Sequence, residues 1–127
     1  MGQPVVHFEL WSEDPANTSQ FYCKVFDWRI RYMEELNYRI VETRGEDGID
    51  GGVSQLAEGR GPERMCFYIL VDSLEDYLEK IRGAGGKTIV ERQEVPNAGA
   101  FALFEDPDGR VLGIWESGHR AHGSIGS

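Results

Sequence analysis

The chain has 127 residues, 22 acidic against 13 basic side chains, and a formal net charge of −9. That balance argues against nucleic acid and anionic membranes as partners, because both are bound through clustered cations, and it suits a cationic small ligand or a metal ion. The length fits a single domain over 1–127 with a core of its own, and no window approaches the roughly 18 apolar residues of a membrane span.

Taken in order, Val5 to Trp11 alternates as a strand, with Val6, Phe8 and Leu10 on one face and Val5, His7, Glu9 and Trp11 on the other. The second face sets an imidazole beside a carboxylate and an aromatic ring. Asp14 and Pro15 then open a helix over 14–26 as N-cap and first residue, and Phe21, Tyr22, Val25 and Phe26 give it an apolar stripe. Strands follow near Arg29 to Met33 and Tyr38 to Thr43, and a glycine-broken one at Ile49 to Leu56. Within it, Gly51-Gly52 either lets a ligand approach the backbone or marks a bulge.

Residues 58–64 read as an internal linker, after which the order of elements recurs. Met65 to Val71 is a strand, and Ser73 begins a helix with a capping box to Asp76. Leu74, Tyr77, Leu78 and Ile81 line one side of that helix before Gly83-Ala84-Gly85-Gly86 stops it. Strands follow at Lys87 to Arg92, Ala100 to Phe104 and Val111 to Glu116. Each half, about 4–57 and 65–117, is strand, helix and three strands, so the class is α+β with two βαβββ repeats. The tail 118–127 is rich in Gly, Ser and His without apolar period, and reads as flexible. Cys23 and Cys66 stand outside any CxxC pair, which suits reduced thiols in an unexported, cytoplasmic protein.

Asp106-Pro107-Asp108-Gly109 is a turn between the last two strands, and Glu116 closes the second of them. A carboxylate after an apolar run is either a solvated strand end or an acid placed to hold something. Among the other chemistry-bearing residues, His7 reads as a rim histidine or a ligand, and Cys66 as a small core residue or a thiolate. His119 and His122 belong to the tail composition. No GxSxG, P-loop or HExxH pattern occurs, so hydrolase, nucleotide and zincin chemistry have no support.

The paired repeat, the opening VVHFEL, the helix end FYCKVFDW and the close FEDPDGRVLGIWE together resemble the vicinal oxygen chelate superfamily, which holds glyoxalase I, bleomycin-resistance proteins and extradiol dioxygenases. The resemblance runs from about Pro4 to Ser117 and is nearest to small bacterial glyoxalase-like proteins. It implies sheets curled into cups with helices outside, a ligand on the concave face and a homodimer. It further implies metal ligands at His7 and Glu116, with Cys66 where a second histidine is expected, and Ser54 or Gln55 where glyoxalase-type members carry a Glu. The ion would be zinc, nickel or iron.

Two functions follow. In the first, the protein binds a small molecule in an apolar cup walled by Trp11, Tyr38, Phe101 or Phe104, and Ile114, with His7, Glu9 and Glu116 as polar points. In the alternative it is a metal-dependent lyase or isomerase similar to glyoxalase I, with Glu9 or Glu116 moving the proton. The dioxygenase reading loses its second histidine at Cys66.

Overall fold

A computed structural model describes residues 2–58 and 61–118. Gly59 and Arg60 of the expected linker, and His119 and His122 of the tail, lie outside the described residues. The described chain falls into two compact units, Val6–Phe67 and a second that joins the residues before Val6 to those from Tyr68 onward.

In the first unit, β1 (Val5–Ser12) leads into α1 (Pro15–Phe26), then β2 (Arg29–Met33), a single 3-10 turn at Glu34–Leu36, β3 (Tyr38–Glu42) and β4 (Gly51–Gln55). The order across the sheet is β2-β3-β4-β1, with β1 parallel to β4 and the other pairs antiparallel. Asp14 caps α1 by accepting from the Asn17 N–H at 3.2 Å, with Pro15 in the first turn. Asp27 ends the helix in the left-handed region at φ 60° and donates its N–H to the Cys23 carbonyl. The expected apolar stripe only partly faces inward. Phe21, Val25 and Phe26 are each more than half exposed, while Ser19 is buried and Tyr22 stacks on Trp28 at 5.0 Å. The inner side of α1 is therefore made by Ser19 and Tyr22 rather than by the whole apolar stripe. Phe8 turns to the same aromatic group, 5.6 Å from Trp28, and Val41 and Val53 are fully buried.

The second unit repeats the plan. β5 (Met65–Leu70) begins in the first unit and crosses into this one, followed by α2 (Leu74–Gly83), β6 (Lys87–Val95), β7 (Gly99–Glu105) and β8 (Val111–Ser117). β5 is parallel to β8, and β8-β7-β6 are antiparallel. Both units are thus βαβββ, the α+β architecture expected. Directly opposed residues share a face, and one face of this sheet carries Ala100, Ala102, Phe104 and Ile114. Together with Val71 these pack against Leu74 and Leu78 of α2 in one buried cluster. Alanines at 100 and 102 let the helix sit close to the strands. The hairpin turn is held by Asp106, whose side chain accepts from the N–H groups of Asp108 and Arg110 at 2.9 Å each. The Arg110 N–H does most to hold the Asp106 carboxyl below its usual range.

Candidate functional site

On the β1 face away from α1, strand pairing sets Glu9 opposite Gly52 and Trp11 opposite Ser54, while β3 sets Tyr38 opposite Ser54 and Ile40 opposite Gly52. His7, at period two from Glu9, joins the same face. The polar groups there are tied together. The Trp11 indole N–H donates to Glu9 Oε1 at 2.8 Å, and His7 Nε2 lies 2.9 Å from the Tyr38 hydroxyl. Burial pushes the His7 pKa below its ordinary value against the opposing pull of Glu9 and Asp50, so the imidazole is neutral at pH 7. Burial also raises the Tyr38 phenol well above its usual value, and the charge of Glu9 and a hydrogen bond to it add to this. Cys66, buried at 4% exposure, is a further neighbour acting on Tyr38. His7, Glu9, Trp11, Tyr38 and Cys66, all singled out from sequence, are therefore brought together in one unit.

Gly51 and Gly52 answer to neither expectation stated for them. A methyl group built at Gly52 would overlap the Tyr38 hydroxyl and ring, and one at Gly51 would overlap the Phe8 carbonyl and ring. The chain's own aromatics take the space. In the same unit, an open cleft of about 510 Å³ is lined by Trp11, Ser12, Asp14, Thr18, Tyr22 and Arg64 among others.

Glu116 belongs to the other unit. In its own unit it pairs across the sheet with Ala100, on the α2 side. Its Oε1 accepts from the Leu74 N–H at the start of α2 at 2.9 Å, and Arg92 of β6 donates to both carboxylate oxygens at 3.2 and 3.3 Å. The same guanidinium reaches Glu94 at 2.6 Å and Glu75 at 3.2 Å. The Glu116 side chain is 17% exposed. It is neither a solvated strand end nor a point on the face opposite α2. Arg92, which sequence reading passed over, carries this arrangement.

Two of the expected pocket walls are corrected in the same way. Phe104 and Ile114 lie in the cluster under α2, because they stand three positions from Phe101 and one from Trp115, odd offsets that put them on the face opposite to that pair. Phe101 remains a candidate wall in that unit, half-buried and edge-on to Tyr68 at 6.1 Å. At Gly113, the next position of β8 on that face, an added methyl group would overlap the Tyr68 ring.

Of the expected ligands His7, Cys66 and Glu116, two are already engaged within their own units. Glu116 already accepts from a guanidinium and a helix N–H, and His7 Nε2 is engaged by Tyr38. Among the described residues, no three His, Cys, Asp or Glu side chains are grouped as an ion requires. The described residues also include no helix long and apolar enough to cross a membrane.

Comparison with known proteins agrees with the fold. Residues 5–114 match the family model described as Glyoxalase/Bleomycin resistance protein/Dioxygenase superfamily. "Putative glyoxylase CFP32" of Mycobacterium tuberculosis is 28% identical over 109 residues, covering 84% of this chain and 41% of that protein. The anthracycline biosynthesis protein DnrV of Streptomyces peucetius is 25% identical over 127 residues, covering 87% of this chain and 46% of its own. The chain spans less than half the length of these relatives. Among solved structures, a superfamily member from Vibrio splendidus 12B01 has a TM-score of 0.62 at 16% identity, covering 91% of this chain and 100% of that one. Methylmalonyl-CoA epimerase from M. tuberculosis has a TM-score of 0.65 at 11% identity, covering 94% and 91%. At those identities the likeness is one of fold.

Proposed function

Since the chain belongs to the Glyoxalase/Bleomycin resistance protein/Dioxygenase superfamily, also called the vicinal oxygen chelate superfamily, we propose that it binds a small organic molecule on the face of His7, Glu9, Trp11 and Tyr38. One observation carries the reading. The pairs Trp11–Glu9 and His7–Tyr38 place a few oriented polar groups among aromatic rings and Ile40 on a partly buried sheet face. Small-molecule sites are built in this way, with apolar burial for affinity and a few polar groups for orientation. The likeness to a protein named for anthracycline biosynthesis makes an anthracycline a suitable first probe. Titrated into isotope-labelled protein, it should shift the Trp11 indole N–H signal. Tyr38→Ala should weaken it at least tenfold, about 1.4 kcal/mol. Shifts confined to the indoles of Trp28 and Trp115 would refute the assignment.

A metal-dependent lyase resembling glyoxalase I is the second reading, favoured by the relative named as a glyoxylase and disfavoured by the engaged Glu116. Elemental analysis of protein purified without chelator separates the two, since a stoichiometric zinc, nickel or iron would favour the lyase. The homodimer that the family resemblance implies is tested by sedimentation at micromolar concentration.

A further inference from the structure

Gly52 sits buried in β4, between β1 and β3, paired with Glu9 on one side and Ile40 on the other. Glycine inside a strand loses more backbone freedom on folding than alanine does, about 0.5–1 kcal/mol. Its conformation does not require the residue, because the positive-φ glycines are Gly85, Gly99 and Gly109. The space does. An added methyl group would meet the Tyr38 hydroxyl oxygen, Cζ and Cε2, all at the far end of that ring.

We propose that Gly52 is the positioning residue of the binding face: by lacking a side chain it makes the room in which the Tyr38 hydroxyl is set between His7 and Glu9. The inference rests on the face proposed above, but not on any ligand. The Glu9 carboxylate only accepts hydrogen bonds, so the phenol O–H goes to Glu9. The phenol oxygen then accepts from His7, 2.9 Å away, which fixes a proton on Nε2 of the neutral ring. With the Trp11 indole as a second donor to Glu9, the run imidazole, phenol, carboxylate and indole is oriented before anything binds. A ligand then meets a set of fixed polar groups, at less ordering cost than mobile ones. Alanine at 52 would displace the tip of one ring rather than the strand, so the fold should persist while the run is broken.

The test is nitrogen-edited NMR of the histidine imidazoles in the full chain at pH 7, with His7→Asn identifying the His7 signals among those of three histidines. Wild type should show His7 as the Nε2–H tautomer. Tyr38→Phe should lose that signature, and Gly52→Ala should reproduce the Tyr38→Phe spectrum with unchanged circular dichroism. Gly52→Ala keeping the wild-type His7 signals, or Tyr38→Phe leaving them unaltered, would overturn the proposal. If Gly52→Ala fails to fold, the pair Gly52→Ala with Tyr38→Ala decides. Restored folding shows that the glycine answers to the tyrosine, and continued failure shows that it answers to the backbone. Loss of anthracycline binding with an intact His7 signature would sink the proposed function and leave this inference standing.

Discussion

Removing the Glu116 carboxylate should act on stability, through the start of α2. That helix has two first-turn N–H groups satisfied by side chains, Asp76 by Ser73 at 3.2 Å and Leu74 by Glu116 at 2.9 Å. Glu116→Ala removes a capping acceptor, about 1 kcal/mol, and a negative charge at a helix N-terminus, about 0.5 kcal/mol. It also removes the Arg92 ion pair, whose partners are 34% and 17% exposed; screening leaves it about 0.5 kcal/mol. The sum is about 2 kcal/mol, or about 8 °C in Tm for a chain of this size. Glu116→Gln keeps an acceptor for Leu74, so about half that loss is expected. Arg92→Ala should cost about 1 kcal/mol and couple to Glu116→Gln in a double-mutant cycle, whereas Arg92→Lys should restore charge without the two-pronged geometry. Calorimetry reads the four single variants and the double mutant. If Glu116→Ala shifts Tm by less than about 2 °C, or if wild type binds one equivalent of zinc that Glu116→Gln abolishes, the brace is not what this acid is for.

Other expectations follow from packing and titration. Leu74 is fully buried in the cluster under α2, so Leu74→Ala should cost about 3 kcal/mol by denaturant unfolding; a loss near zero would remove α2 from the core. Gly113→Ala drives a methyl group into the body of the buried Tyr68 ring and should cost about 2 kcal/mol by overpacking, more than Gly52→Ala, which meets only the tip of a ring. The lowered His7 pKa means the unfolded chain takes up that proton first as pH falls below about 6.5. The stability held by the neutral ring is present above that pH and lost as pH falls through the folded pKa. Denaturation at pH 7.5 and 5.5 should show a smaller acid loss in His7→Asn than in wild type, and equal losses would exclude His7 from the titration.

Element order was legible because each signal is local. Period-two runs, an Asp-Pro helix start, the Ser73 cap and the DPDG turn fix strands, helices and hairpin from neighbouring residues alone. The grouping of His7, Glu9 and Trp11 was legible for the same reason, since alternation along one strand sets them on one face. That Tyr38 belongs with them depends on register across β4, which no single run contains, and it was reached only through the family resemblance.

Glu116 shows where the reading stops. Glu116 and Ile114 were both expected at the cup, and alternation states which residues share a face, never which face a helix covers. The deciding signal lay on the neighbouring strand, β7. Ala100 and Ala102, small where Phe101 and Leu103 are large, mark the side on which α2 docks closely, and pairing carries Glu116 and Ile114 to that side. Arg92 had no signal of its own, because its strand is broken by register shifts on β6 between Thr88 and Gln93, and a bulged strand loses the simple period. Once Arg92 stands against Glu116, the acid is tied within its own unit to a guanidinium that it shares with Glu75 and Glu94. On the proposed function, the polar groups that meet a ligand are those of His7, Glu9, Trp11 and Tyr38 on β1 and β3.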